Sequence, residues 1–218
     1  MELTATQIER IEHYLNRKHV KHVDIRIEVL DHIILDIEAL IEKENKDFET
    51  VFYTVTSQWN TQFAETSSSL FGIGFIAPRI LIHKAKGIYR TYFFMLIASY
   101  FLPLIFFSYM DYSFSELAQF YVNKLLHIAA IFFASFFLFL LIKKERSKLK
   151  TTYSFLLKTQ SMAIFIGLFC VFTANFFDKN GAFNPISIGL LIAFVYTTLV
   201  YFYFYIKHKQ AVNTYKIL

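Results

Sequence analysis

The chain has 218 residues, 56% of them hydrophobic, 19% aromatic and only 18% charged, with a single cysteine. Soluble domains carry about 25% charged residues, and the apolar excess here lies in four uncharged runs, 91–110, 125–142, 159–177 and 185–206. Each run meets the roughly 18 residues that a helix needs to cross a hydrocarbon core, which excludes a soluble globular enzyme. The lone Cys170, inside the third run, excludes a disulfide scaffold.

The first predicted helix opens at Thr6, whose spacing to Glu9 is that of a capping box. Ile8, Ile11 and Leu15 follow at helical spacing, which carries this helix to about Arg17. From Ile25 a stronger pattern begins: Val29, Leu30, Ile33, Ile34, Ile37, Leu40 and Ile41 form a broad apolar stripe over five turns. Asp47 stands where an N-cap belongs for a third helix, in which Phe48, Val51, Phe52, Val55 and Trp59 recur three or four apart. Then come Ser67, Ser68 and Ser69, followed by Gly72, Gly74 and Pro78, a composition that predicts a hinge. The stretch from Arg79 to Arg90 mixes basic and apolar residues and reads equally well as an interfacial helix or as a helical run-in to the first span.

Charge divides the chain. Residues 1–70 hold 7 Lys+Arg against 13 Asp+Glu, and residues 71–218 hold 15 against 4. The basic residues sit beside the apolar runs, where lipid and the translocation machinery read them, so direct nucleic-acid binding is not expected. Arg79, Lys84, Lys86 and Arg90 precede the first run. Lys143, Lys144, Arg146, Lys148, Lys150 and Lys158 lie between the second and third, and Lys207, Lys209 and Lys216 follow the fourth. The two remaining loops offer only Lys124 and Lys179. Positive residues stay on the cytoplasmic side, which predicts N-in, C-in topology with two outer hairpins. No cleavable signal peptide is expected, because residues 1–24 contain no apolar core segment.

The expected fold is therefore all-α: a small cytoplasmic three-helix domain over 1–66, a hinge and basic juxtamembrane segment over 67–90, a bundle of four transmembrane helices over 91–206, and a basic cytoplasmic tail over 207–218.

Candidate chemistry is sparse. His19 and His22 stand in a basic turn with Lys18 and Lys21, whose charges repel a metal cation. Glu28, His32 and Asp36 are spaced by four, so they share one face of the second helix, with Asp31 and Glu38 adding to its acidity. Three ligands from one straight helix rarely close a metal site, so the expectation is no metal, no cofactor, and a face of Glu28, Asp31, His32, Asp36 and Glu38 that either meets a protein partner carrying a basic patch or only keeps the head soluble. The chain shows no Gly-rich phosphate loop, no nucleophile elbow and no zinc-protease motif, which argues against an enzyme. Within the spans, His127, Thr173, Asn175 and Pro103 are the features a transporter would use; His127 reads as interfacial and Pro103 as a kink. Tyr201 to Tyr205, alternating Tyr and Phe, read as an aromatic belt.

The order Ile8, Ile11, Tyr14-Leu15, then Asp24-Ile25-Arg26 with Glu28-Val29-Leu30-Asp31-His32, then Ile37-Glu38 and Asp47-Phe48-Glu49 with Val51-Phe52, resembles the HAAS-type helical domains. Ser57-Gln58-Trp59-Asn60 replaces the Leu-Gly-x-Pro turn usual in that family. The resemblance covers residues 8–60 and implies a bacterial inner-membrane protein, of a kind often encoded beside PadR-type transcription regulators. The expected function is that of a non-enzymatic signalling or regulatory membrane protein whose head binds a soluble partner such as a transcription regulator. The alternatives are an accessory subunit of a transporter or export complex and, last, a membrane-embedded enzyme. The partners expected are the lipid bilayer, a cytoplasmic protein and, for the spans, a further copy of the chain; no small-molecule substrate is indicated.

Overall fold

The computed structural model describes residues 2–72, 74–110 and 112–215. They form an all-helical fold: α1 (Ala5–Arg17), α2 (Val23–Glu44), α3 (Phe48–Phe63), α4 (Arg79–Ser108), α5 (Glu116–Glu145), α6 (Thr152–Gln160), α7 (Ile164–Phe172) and α8 (Pro185–Tyr215), with two two-residue strands, β1 (Glu65–Thr66) and β2 (Ala77–Pro78). The chain divides into two compact units, one of residues 1–87, 149–155 and 208–218, the other of residues 88–148 and 156–207.

In the first unit, α1 begins two residues earlier than its sequence pattern suggests. Thr4, not Thr6, is the N-cap, and Gln7, not Glu9, closes the capping box by accepting from the Thr4 N–H at 2.8 Å. The sequence offers two overlapping Thr-x-x-Glu/Gln boxes, and the earlier one adds a half-turn of helix. Asp47 caps α3, its carboxylate accepting from the Thr50 N–H at 3.0 Å. Asn45 ends α2 in the left-handed conformation, where its backbone N–H still reaches Ile41 O at 2.9 Å. The core of these three helices is the predicted stripe: Val29, Ile33 and Ile37 are fully buried, together with Ile11 and Leu15 of α1 and Val51, Phe52 and Val55 of α3. Tyr14 packs edge-on against Phe52, and its hydroxyl donates to Thr56 O at 3.0 Å. Burial pushes this phenol up to about 12.

Residues 67–72 and 74–76, within the stretch expected to be a hinge, lie in a loop. β1 pairs antiparallel with β2 at its base, and Arg79 N–H donates to Ala64 O at 2.9 Å. Inside the loop Phe71 is buried and meets Phe155 edge-on at 5.5 Å, so an apolar anchor replaces free rotation. The basic stretch that follows is the first part of α4 and continues without interruption into the apolar run.

In the second unit the helices carry the hydrophobic runs. Four segments, Arg79–Ser108, Glu116–Glu145, Thr152–Phe172 and Pro185–Tyr215, are long and apolar enough to cross a membrane, and the chain is a multi-pass membrane protein. Phe94, Leu102, Phe106, Leu125, Phe132 and Phe165 stand exposed, an arrangement that water would penalise and lipid accepts.

The bounds differ from the hydropathic runs most in the third segment. Expected at 159–177, it runs from Thr152 to Phe172, with a single 3-10 turn at Ser161–Ala163 joining α6 to α7. Residues 173–184 leave the helix. Thr173 and Ala174 both donate backbone N–H groups to Phe169 O, the Asp178 carboxylate accepts from the Asn180 and Ala182 N–H groups at 2.9 Å, and Phe177 stacks on Phe183 at 4.9 Å. Phe176 and Phe177 count as span by hydropathy, but they are buried in a loop core with Phe114 and Phe183. Asn184 then caps α8, accepting from the Ile186 and Ser187 N–H groups, with Pro185 at the first helical position. Residues 207–215 of the expected basic tail are helical and belong to α8, and residues 216–218 lie outside the described residues. His127 bonds back to Asn123 O at 2.9 Å and sets its ring edge-on against Phe176 at 4.9 Å.

The most extensive helix contact here is between α5 and α7, where the small, buried Ala130 and Ala134 stand one turn apart. Gly167 of α7 lies under the ring of Phe194, which is 1% exposed. A methyl group at Gly167 would clash with the Phe194 ring. Overpacking of this kind costs about 1–3 kcal/mol. Gly167→Ala is therefore expected to lower the thermal unfolding midpoint in detergent, and adding Phe194→Leu to restore part of the loss; an unchanged midpoint in the single variant would contradict this packing.

Candidate functional site

Two features of the first unit carry polar chemistry: the acidic face of α2 and a buried junction at its start.

Four of the five residues expected on the acidic face each contact one of three residues, Lys84, Trp59 and Leu3. Glu28 pairs with Lys84, at the beginning of α4. His32 stacks on Trp59 with ring centroids 6.4 Å apart, and the Asp36 carboxylate accepts from Trp59 Nε1 at 3.3 Å. Glu38 turns to the other flank of the helix, where its Oε1 accepts from the Leu3 N–H at 2.9 Å. Asp31 is exposed. Glu28 and Glu38 thus have separate partners while His32 and Asp36 share Trp59, and the described residues contain no group of three or more His, Cys, Asp or Glu side chains placed to hold a metal ion. What remains open to solvent is a strip in which Asp31, Asp36 and Glu42 frame Leu35, which is 60% exposed, and Ala39. Leu35 belongs to this surface and not to the core stripe, because it falls a quarter-turn or more from Ile33 and Ile37 on the helix.

The junction is built from residues far apart in the chain. α2 begins at Val23, with His22 as its N-cap residue, and His22 makes no side-chain cap bond. The Val23 N–H donates to Lys150 O at 2.9 Å, which pairs the approach to α2 with the approach to α6 as a short parallel bridge at His22 and Lys150. α6 opens with its own reciprocal cap: Ser154 N–H donates to Thr151 Oγ1 at 3.2 Å, and Thr151 N–H donates to Ser154 Oγ at 3.0 Å. The Thr152 N–H points at Asp24, whose two carboxylate oxygens are both 3.0 Å away. Thr151 and Thr152 are fully buried and Asp24 is 9% exposed. A helix N-terminus leaves its first N–H groups without partners, and here water has no access, so Asp24 supplies the acceptor and also faces the positive end of the helix dipole. On the far side, Thr151 Oγ1 lies 2.8 Å from Nδ1 of His208, near the end of α8.

A hydroxyl bonded to an imidazole is the geometry of an activated nucleophile. Thr151 and His208 are 0% and 1% exposed, so the pair is closed to any substrate and acts as a lock between chain segments. None of these contacts was signalled by the sequence, in which Asp24 enters only through the Asp24-Ile25-Arg26 motif and Thr151 and Thr152 lie between the second and third apolar runs.

Burial lowers the imidazole pKa of His22 from 6.5 to about 4; Asp24 opposes the shift and Lys150 reinforces it. The folded head therefore holds His22 neutral, whereas the unfolded chain takes up a proton below 6.5. The stability His22 confers is complete above that value and drains away as pH falls toward 4. Replacing His22 by Gln removes this titration. The difference in unfolding midpoint between wild type and His22→Gln is expected to shrink steadily in favour of the variant as pH is lowered from about 6.5 to about 4; parallel pH profiles would contradict a neutral, buried His22.

Compared with known proteins, the chain matches no family model, no curated protein and no solved structure.

Proposed function

We propose that the protein is a non-enzymatic regulatory protein of a bacterial inner membrane, with both termini in the cytoplasm and a helical head that binds a soluble protein partner. The topology rests on the distribution of Lys and Arg, which are dense in the first turns of α4, from the end of α5 into α6 and along the end of α8, and sparse between α4 and α5 and between α7 and α8. The observation that carries the partner reading is the open strip of α2: an exposed leucine framed by Asp31, Asp36 and Glu42 on a helix with 7 acidic residues and 2 basic ones. An apolar centre with a charged rim is the anatomy of a protein interface, and the negative rim favours a partner with a basic patch. A transcription regulator's DNA-binding face is such a patch, and holding it at the membrane would keep it from DNA. The resemblance of residues 8–60 to HAAS-type domains supports the same assignment.

The test uses the full-length protein in detergent as bait. Wild type and the double charge reversal Asp31→Lys/Glu42→Lys are compared, both sites being exposed and outside the core. Basic partners retained by wild type and lost on the variant, and released when salt is raised from about 0.05 M to about 0.5 M, are the expected result. Equal capture by both baits at low salt would refute the acidic-strip interface.

A further inference from the structure

The first three turns of α4 place Arg79, His83, Lys86 and Arg90 at i, i+4, i+7 and i+11, and a period of 3.6 residues sets these on one strip of the helix. All four are exposed. Leu81, Ile82 and Ala85, on the other side of the same turns, are buried at 1%, 6% and 0% exposure. Lys84 lies off the strip and is paired with Glu28; Arg10 and Arg26 likewise have Glu49 and Glu12 as partners. Among the described residues, the strip itself enters no ion pair.

The position of the strip limits what can neutralise it. The uncharged run 91–110 starts at the residue after Arg90, in the same unbroken helix. At a rise of 1.5 Å per residue, Lys86 and Arg90 stand within about 8 Å of the segment that must lie in hydrocarbon, and Arg79 about 17 Å farther out than Arg90. That is the depth of lipid headgroups and the water just beyond them. Long Lys and Arg side chains at a span's end reach naturally for phosphate, and Arg presents a fork that matches it.

We propose that Arg79, His83, Lys86 and Arg90 form a binding strip for the phosphates of anionic phospholipids, which gather along α4 in preference to zwitterionic lipids. The strip and the acidic face of α2 are separate features, so this lipid site stands or falls without the protein partner. A basic side chain at an anionic surface contributes about fivefold in affinity, and the effect fades once salt shortens the range of the attraction.

The experiment uses full-length protein in neutral detergent, offered equal amounts of dioleoylphosphatidylglycerol and dioleoylphosphatidylcholine, which share acyl chains and differ in headgroup charge. Bound lipids are counted by native mass spectrometry, and the same two lipids are compared for the rise they cause in unfolding midpoint. Wild type is expected to favour phosphatidylglycerol by at least about fivefold. The preference should fall to near unity in Arg79→Gln/Lys86→Gln/Arg90→Gln, survive in Arg79→Lys/Arg90→Lys, and survive in Lys143→Gln/Lys148→Gln, which removes basic residues elsewhere. No preference in wild type, or one that the triple Gln variant retains, overturns the proposal. If the triple variant does not fold, the stabilisation of wild type by phosphatidylglycerol decides: its disappearance between about 0.05 M and about 0.5 M salt supports the strip, and its persistence overturns it.

Discussion

A buried carboxylate, that of Asp24, joins two distant segments of the first unit. Its partner, the Thr152 N–H, lies 128 residues later, at the start of a helix whose first residues are sealed from water. Leaving that N–H unpaired costs about 1–3 kcal/mol, and leaving a carboxylate buried without a partner costs more. Each group therefore requires the other. Their bond ties the first turn of α2 to the first turn of α6. The Val23–Lys150 and Thr151–His208 bonds lie on either side and hold the same segments, so the head is built from the N-terminal helices, the approach to α6 and the end of α8 together.

Magnitudes separate the bonds that hold this unit from those that decorate it. The Glu28–Lys84 pair has side chains about half and one-third exposed, and ion pairs of that kind contribute at most about 1 kcal/mol and weaken with salt. A charge-assisted bond shielded from water, as at Asp24, is worth about 1.5–3 kcal/mol. Burial of Val29, Ile33 and Ile37, at roughly 1.5–3 kcal/mol for each side chain, outweighs both. The apolar stripe thus supplies most of the cohesion of α1, α2 and α3, and Asp24 supplies the register in which the later segments join them.

How much of this could be read in advance depended on the range of the interaction. Periodic signals were legible: the α2 stripe, the Asp47 cap and the existence of four spans all follow from residues within a few turns of one another. Signals that depend on distant partners were not. Nothing near Asp24 distinguishes a carboxylate that caps another helix from one that faces water, and Glu38 and Asp36 look alike in sequence although one meets Leu3 and the other Trp59. Span three was displaced because hydropathy credits Phe176 and Phe177 to the membrane, whereas aromatic contacts bury them in a loop. Thr4 and Thr6 offered competing caps, and the choice between them depends on which start leaves the fewest backbone groups unpaired.

The dependence of the head on Asp24 can be measured directly by amide hydrogen exchange on the full-length protein. Asp24→Ala keeps a good helix former in the first turn of α2 and removes only the acceptor. Residues 149–155 should then exchange markedly faster than in wild type, while Asp31→Ala, at an exposed site on the same helix, should leave them unchanged. Equal protection of residues 149–155 in wild type and Asp24→Ala would contradict the role assigned to this carboxylate.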